Sequence, residues 1–279
     1  MKEKILDGKV AVITGAGGVL CSAFAEALAG AGAKVALLDL NGDAACEMAD
    51  KICAAGGVAK GYAANVLDKK ILEDVRAEIT KQFGKCDILV NGAGGNSPRC
   101  TTAHEYYEKG DEYATDVKTF FNLEKSDFDF VFSLNIMGTL LPTQVFAPDM
   151  IDRDGTVINI SSMNAFTPLT KIPAYSAAKS GVSNLTQWLA VHFASAGIRV
   201  NAIAPGFFAT KQNAALLFNE DGTPTPRTDK ILRATPMGRF GKPEELLGTL
   251  LWLCDSSASG FVTGVVVPVD GGFSAYSGV

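Results

Sequence analysis

The sequence predicts an α/β protein, a single-domain doubly wound fold with a seven-stranded parallel sheet and helices on both faces. Three observations carry that expectation. Seven short apolar, β-branched runs alternate with segments of helical spacing, as strands buried on both faces require. A glycine-rich turn joins the first strand to the first helix. The two irregular stretches both leave from carboxyl ends of strands, the edge where open α/β sheets bind ligands.

Taken in order, residues 9–14 (KVAVIT) form a buried strand ending at Gly15. Residues 19–29 are small and apolar with helical spacing, closed by the glycines at 30 and 32. Residues 34–40 (KVALLDL) make a second strand, followed by a helix to about Ala55. Residues 58–66 and 85–90 are two more strands. Between them, Ile71, Leu72, Val75 and Ile79 mark the apolar stripe of an amphipathic helix over 69–83. Residues 157–160, 198–203 and 265–269 complete the strands, with helices over 173–196 and 243–254. Excursions at about 95–123 and 207–242 break the rhythm, and long excursions at the ligand edge read as functional. No linker or repeat divides residues 1–279, so one domain is expected.

The 279 residues carry 25 Lys and Arg against 30 Asp and Glu, a formal charge of −5. With 47% hydrophobic and 20% charged residues the chain can bury a core, which argues against disorder. The absence of a basic block argues against a nucleic-acid partner. No apolar run approaches the roughly 18 residues of a bilayer span, and the N-terminus lacks an export signal. No membrane partner is expected, and a cytoplasmic location is. Six scattered cysteines and two histidines, His104 and His192, offer no metal-ligand cluster.

The turn TGAGGVLC, residues 14–21, lets backbone N–H groups approach a pyrophosphate at a helix N-terminus, the nucleotide-binding use of a Rossmann turn. Asp39 ends the second strand, where a carboxylate accepts from both ribose hydroxyls and repels a 2′-phosphate. Tyr175 and Lys179, four residues apart, share a helix face. An ammonium there is expected to lower the phenol's pKa and produce a general acid/base. Ser162, at a strand's end, is placed to hold a substrate oxygen.

Together these motifs resemble those of short-chain dehydrogenase/reductases, over nearly the whole chain. TGAGGVLC is similar to that family's TGxxxGxG, NGAG at 91–94 to its NNAG, PGFFAT at 205–210 to its PGxxxT, and VDGG at 269–272 to its C-terminal signature. Asn135, in FSLNIMG, matches the family's helical Asn. The resemblance implies NAD(H)-dependent interconversion of a ketone and a secondary alcohol, with Asn135, Ser162, Tyr175 and Lys179 catalytic. Asn135 would orient a water joining Lys179 to solvent. The implied cofactor contacts are Gly15, Gly17, Gly18, Val19, Leu20, Asp39, Asn65, Val66, Asn91, Gly92, Ala93, Tyr175, Lys179, Pro205, Gly206, Phe208 and Thr210. A homotetramer, paired through late helices and the last strand, is also implied. The chain departs from the pattern at Val19 and Cys21, where glycines are expected, and at Gly92, where the family has Asn.

Within the family, GGVLC, GAGGNSPRCTT and the stretch SSMNAFTPLTKIPAYSAAK resemble D-mannonate oxidoreductases (fructuronate reductases). That implies a sugar-acid substrate, D-fructuronate reduced to D-mannonate. Arg99, Asn164, Lys171 and Lys211 are the candidate substrate contacts, with Asn96, His104, Gln212 and Asn213 nearby in sequence. Alternatives are a gluconate 5-dehydrogenase-like enzyme, a 3-oxoacyl reductase, or a nucleotide-sensing protein without turnover.

Overall fold

The computed structural model describes residues 4–209 and 217–278. Seven parallel strands form one sheet in the order β3-β2-β1-β4-β5-β6-β7. They are β1 (Val10–Thr14), β2 (Lys34–Asp39), β3 (Val58–Ala63), β4 (Ile88–Asn91), β5 (Gly155–Ile160), β6 (Ile198–Pro205) and β7 (Val266–Val269). The order reverses between β1 and β4, so their carboxyl ends open a crevice at the topological switch point.

Side-chain alternation along each strand feeds two cores. Ala11, Ile13, Val35, Leu37 and Val90 face α1 (Val19–Gly30), α2 (Gly42–Ala54) and α8 (Leu247–Cys254). Val10, Val12, Ala36, Leu38 and Leu89 face α3 (Lys69–Gln82), α5 (Gly138–Phe146) and α6 (Pro173–Phe193). Both faces are apolar, which is why the strands read as unbroken runs rather than alternating ones. Among the described residues, the remaining α-helices are α4 (Lys125–Phe132), α7 (Pro226–Ala234) and the single turn α9 (Ser256–Ser259).

One helix lies outside the set expected from the sequence. Lys125–Asp149 forms a continuous helical rod, long and apolar enough by composition to cross a bilayer. Half of its most apolar window is buried in this fold, and Val145, Phe146 and Ala147 pack into the second core, so it is a core helix. Ser133, Asn135, Thr139, Thr143 and Gln144 interrupt its apolar residues and hid it from a search for unbroken apolar runs. The rod contains a π-helical turn, Ser133–Met137, and Asn135 lies at its middle.

A buried polar chain crosses the sheet beneath this turn. Thr139 Oγ1 donates to Asn135 O, and Thr143 Oγ1 to Thr139 O. Asn91 Nδ2 donates to both Thr143 Oγ1 and Asn159 Oδ1. Asn159 Nδ2 then reaches Thr186 Oγ1 on α6. The helix carrying Asn135 and the helix carrying Tyr175 are thereby tied through the ends of β4 and β5.

Candidate active site

The glycine-rich turn is built by close approach. Gly15 has φ +66°, and a Cβ there would lie 2.9 Å from the Ala93 backbone. Thr14 Oγ1 accepts from the N–H groups of Gly92 and Ala93 at 3.1 and 3.2 Å, locking the β1 and β4 ends together. α1 begins at Val19 with Gly18 as its N-cap and no side-chain cap, so its first N–H groups are left for a ligand. Asp39 receives the Gly17 N–H at 2.9 Å on one carboxylate oxygen and the Asn41 N–H at 2.8 Å on the other. Those bonds fix the carboxylate at the crevice edge.

The crevice, about 500 Å³, is lined by Gly15, Gly18, Val19, Leu20 and Asp39, with Gly92, Ala93 and Gly206–Phe208 opposite. Asn65 and Val66 follow β3, next to Asp39, whose carbonyl accepts from Ala64 N. Pro205 ends β6, and Gly206 is held by its N–H to Val269 O. Asn91 does not present its side chain here, because the amide is spent in the buried polar chain. Thr210 and Lys211, with Gln212 and Asn213, lie outside the described residues.

The departures at Cys21 and Gly92 compensate each other. A Cβ built on Gly92 would overlap Cys21 Sγ and stand 2.8 Å from Thr14 O. Cys21 on α1 therefore fills the volume that a side chain at position 92 would need. Its thiol is buried and pushed up to about 12 by desolvation.

Ser162, Tyr175 and Lys179 converge as expected. Ser162 caps a short 3-10 turn, its Oγ accepting from Asn164 N at 3.2 Å. Its hydroxyl faces the Tyr175 phenol and draws that pKa down, but burial has the larger effect and raises it. Lys179 Nζ lies 5.6 Å from the Tyr175 ring centre and donates to Ile160 O at 2.7 Å. The expected direction of tuning is thus corrected. Burial raises the phenol and pushes Lys179 itself down to about 8.

Asn135 is held from three sides. Its Nδ2 donates to Gly95 O and Val131 O at 2.8 Å each, and its Oδ1 accepts from Gly95 N at 3.2 Å. Both amide hydrogens are committed, so the side chain staples the π-turn to the loop after β4. Gly94 sits inside this staple: a Cβ there would come 2.7 Å from Asn135 Oδ1 and 3.1 Å from Lys179 Nζ. Sequence reasoning overlooked Gly94 and Thr14 as site builders, although both stand inside the motifs it used. It also overlooked Cys100, which is buried with Val131 and Ala174 against Tyr175.

The candidate substrate residues are dispersed. Arg99 is largely exposed and pairs with Asp127 at 3.2 Å. Asn164 is buried, its Oδ1 accepting from Leu169 N. Asn96 bonds Thr101, and His104 Nδ1 pairs with Asp111 at 2.9 Å. Lys171 is half-buried, with φ +71°.

Comparison with known proteins agrees with this geometry. A family model described as enoyl-(acyl carrier protein) reductase matches residues 15–274. An uncharacterized oxidoreductase of Haemophilus influenzae is 60% identical over 275 residues, covering 98% of this chain and 96% of that protein. A crystal structure of a candidate D-mannonate oxidoreductase from Haemophilus influenza, with bound NAD, superposes with a TM-score of 0.94 at 59% identity, covering 98% of each chain. A gluconate 5-dehydrogenase from Burkholderia cenocepacia, in complex with NADP and tartrate, gives 0.83 at 30% identity, again covering 98% of each chain. A nucleotide crevice at the β1/β4 switch point, a Ser-Tyr-Lys constellation beside it and this matched length lead to one conclusion: the chain belongs to the short-chain dehydrogenase/reductase family.

Proposed function

We propose that this protein is an NAD(H)-dependent oxidoreductase that interconverts a sugar-acid ketone and its secondary alcohol, D-fructuronate and D-mannonate. The single observation that carries the cofactor reading is Asp39, a carboxylate fixed at the crevice edge by two backbone N–H groups. It suits ribose hydroxyls and opposes a 2′-phosphate. The uncapped α1 N-terminus and the missing Cβ atoms at Gly15 and Gly18 fit a pyrophosphate. Asn65 and Val66 would flank the adenine. Gly92, Ala93 and the segment 205–210 would enclose the nicotinamide half.

When bound, NADH supplies the hydride. The chain's own groups manage the oxygen. Ser162 Oγ donates a hydrogen bond to the carbonyl oxygen, and Tyr175 Oη delivers the proton. Burial holds the phenol in its protonated, donating form. Lys179 replenishes that proton, and its ammonium, brought down to about 8, gives it up readily near neutral pH. Asn135 positions Gly94 and Gly95 against Lys179 and so keeps the ammonium facing the Tyr175 ring.

The substrate reading is supported by polar groups in the first excursion and by the D-mannonate name carried by the similar Haemophilus structure. The six cysteines are all unpaired, which supports a reducing cytoplasm. We also propose a homotetramer. Leu246, Leu250, Leu253 and Cys254 are buried in the chain's own core, while Trp252 of the same stretch is exposed. The outer face of α6 likewise leaves Trp188 and Val191 exposed. NADH and NADPH oxidation are to be compared with fructuronate, fructose and a 3-oxoacyl thioester. Greater kcat/KM with NADPH, or with either of the last two compounds, overturns the corresponding part, and a monomeric mass by light scattering overturns the tetramer.

A further inference from the structure

We propose that Lys171 is the residue that recognises the substrate's carboxylate, from a pocket formed by the first excursion against the start of α6. This inference rests on the sugar-acid reading above and names the site of its acid group. The pocket, about 310 Å³, is walled by Thr102, His104, Tyr107, Phe120, Phe121 and Lys171 and reaches Pro173, where α6 begins. Two residues later the same helix presents Tyr175.

The two carboxylates that line this pocket, Glu105 and Asp111, are already engaged. Glu105 is paired with Lys230 at 2.8 Å, an ion pair that also joins the two excursions. Asp111 is occupied by His104 and by the Glu108 N–H. Lys171 makes no ion pair among the described residues, and its charge is felt at longer range by Glu105. Lys171 is half-buried and makes no direct ion pair there, so a carboxylate entering the pocket finds a cation ready to pair with it.

The backbone points the same way. Among the described residues, the non-glycines with positive φ are Asp152, Asp154 and Lys171. Aspartate tolerates that region through its short polar side chain, whereas a lysine there carries strain. The Thr102 N–H holds it by donating to Lys171 O at 2.9 Å, so the excursion itself fixes the strained residue. Strain retained by tertiary bonds is typical of residues that must face a ligand. The aromatic wall, with Phe121 edge-on to Tyr107 and Phe120, offers apolar rings for the C–H face of a sugar chain. One cation beside such rings suits a small polyhydroxy carboxylate better than an acyl chain.

The test uses Lys171→Asn and Lys171→Gly, both of which favour the same backbone conformation and remove the cation. Each is expected to raise KM for fructuronate at least about tenfold, the worth of a charge-assisted hydrogen bond. kcat should fall much less, and NADH affinity, read by fluorescence titration, should not move. Lys171→Arg should recover part of the loss. A KM unchanged in both variants overturns the proposal while leaving the sugar-acid activity standing. Calorimetry with D-mannonate and NAD gives a readout independent of turnover. Binding by the wild type that is lost in Lys171→Asn supports the site; equal binding by both, or none by the wild type, overturns it.

Discussion

Cys21 and Gly92 share one volume between them, so their substitutions should not act independently. Gly92→Asn alone drives a side chain into Cys21 Sγ and Thr14 O. We expect lost NADH affinity and a lower Tm. Cys21→Gly alone leaves a small cavity and a glycine within α1, costing about 1–3 kcal/mol. The double variant should be more stable than Gly92→Asn, although only partly restored, because Thr14 O still crowds the new Cβ. Additive losses in a denaturation cycle would show that the two positions are uncoupled. Tyr175→Phe probes the neighbouring chemistry. It removes one hydroxyl and leaves a ring packed on Cys100 and Val131. Turnover should drop by about 10²–10⁴-fold, the usual worth of a general acid, with NADH titrating as in the wild type. A variant that keeps most of its kcat would relocate the proton donor.

At the scale of elements, the buried polar chain from Asn135 to Thr186 coordinates two helices that the catalytic step needs in register. Asn159 is its central link. Asn159→Leu would leave Asn91 Nδ2 and Thr186 Oγ1 each with one partner fewer, beside an Asn91 Oδ1 that already lacks one. We expect a loss of about 2–4 kcal/mol in urea unfolding, together with a reduced kcat as α6 loosens. A stability equal to that of the wild type would mean the chain carries no net energy. The strands flanking this network were legible because residues such as Val10–Thr14 are apolar on both faces. The glycine turn and the Ser-Tyr-Lys set were legible because their chemistry requires particular residue types at particular spacings. The network was not. Its members sit among apolar neighbours as isolated Asn and Thr residues, and only the β4–β5 register brings Asn91 opposite Asn159. The π-turn around Asn135 escaped for a similar reason, since a single widened turn barely disturbs a helical pattern. Arg99 looked suited to a carboxylate, but no local signal revealed that Asp127 already holds it.

For the whole molecule, the buried ionisable groups determine how stability responds to alkali. Lys179 has a folded pKa brought down to about 8 against an ordinary 10.5. Between those values the unfolded chain holds a proton that the folded chain has released, so stability rises with pH there. The buried thiols act in the opposite direction. Cys21 and Cys254 are pushed from 9.0 up to about 12, and Cys86 well above 9.0, by desolvation first of all. Above pH 9 the unfolded chain loses these protons while the folded chain keeps them, and stability falls. One lysine favours folding in this range and four thiols, Cys100 included, oppose it, joined at higher pH by Tyr62 and Tyr175, so the opposing groups prevail once the thiols begin to titrate. Tm should therefore creep upward from pH 8 to about 9 and then decline steeply toward pH 11. Lys179→Met should abolish the rise and leave the decline. Cys21→Ala with Cys254→Ala should flatten the decline, with Cys86, Cys100, Tyr62 and Tyr175 accounting for what remains. A Tm that falls monotonically from pH 8 in the wild type would show that the Lys179 ammonium is less shielded from water than its environment implies.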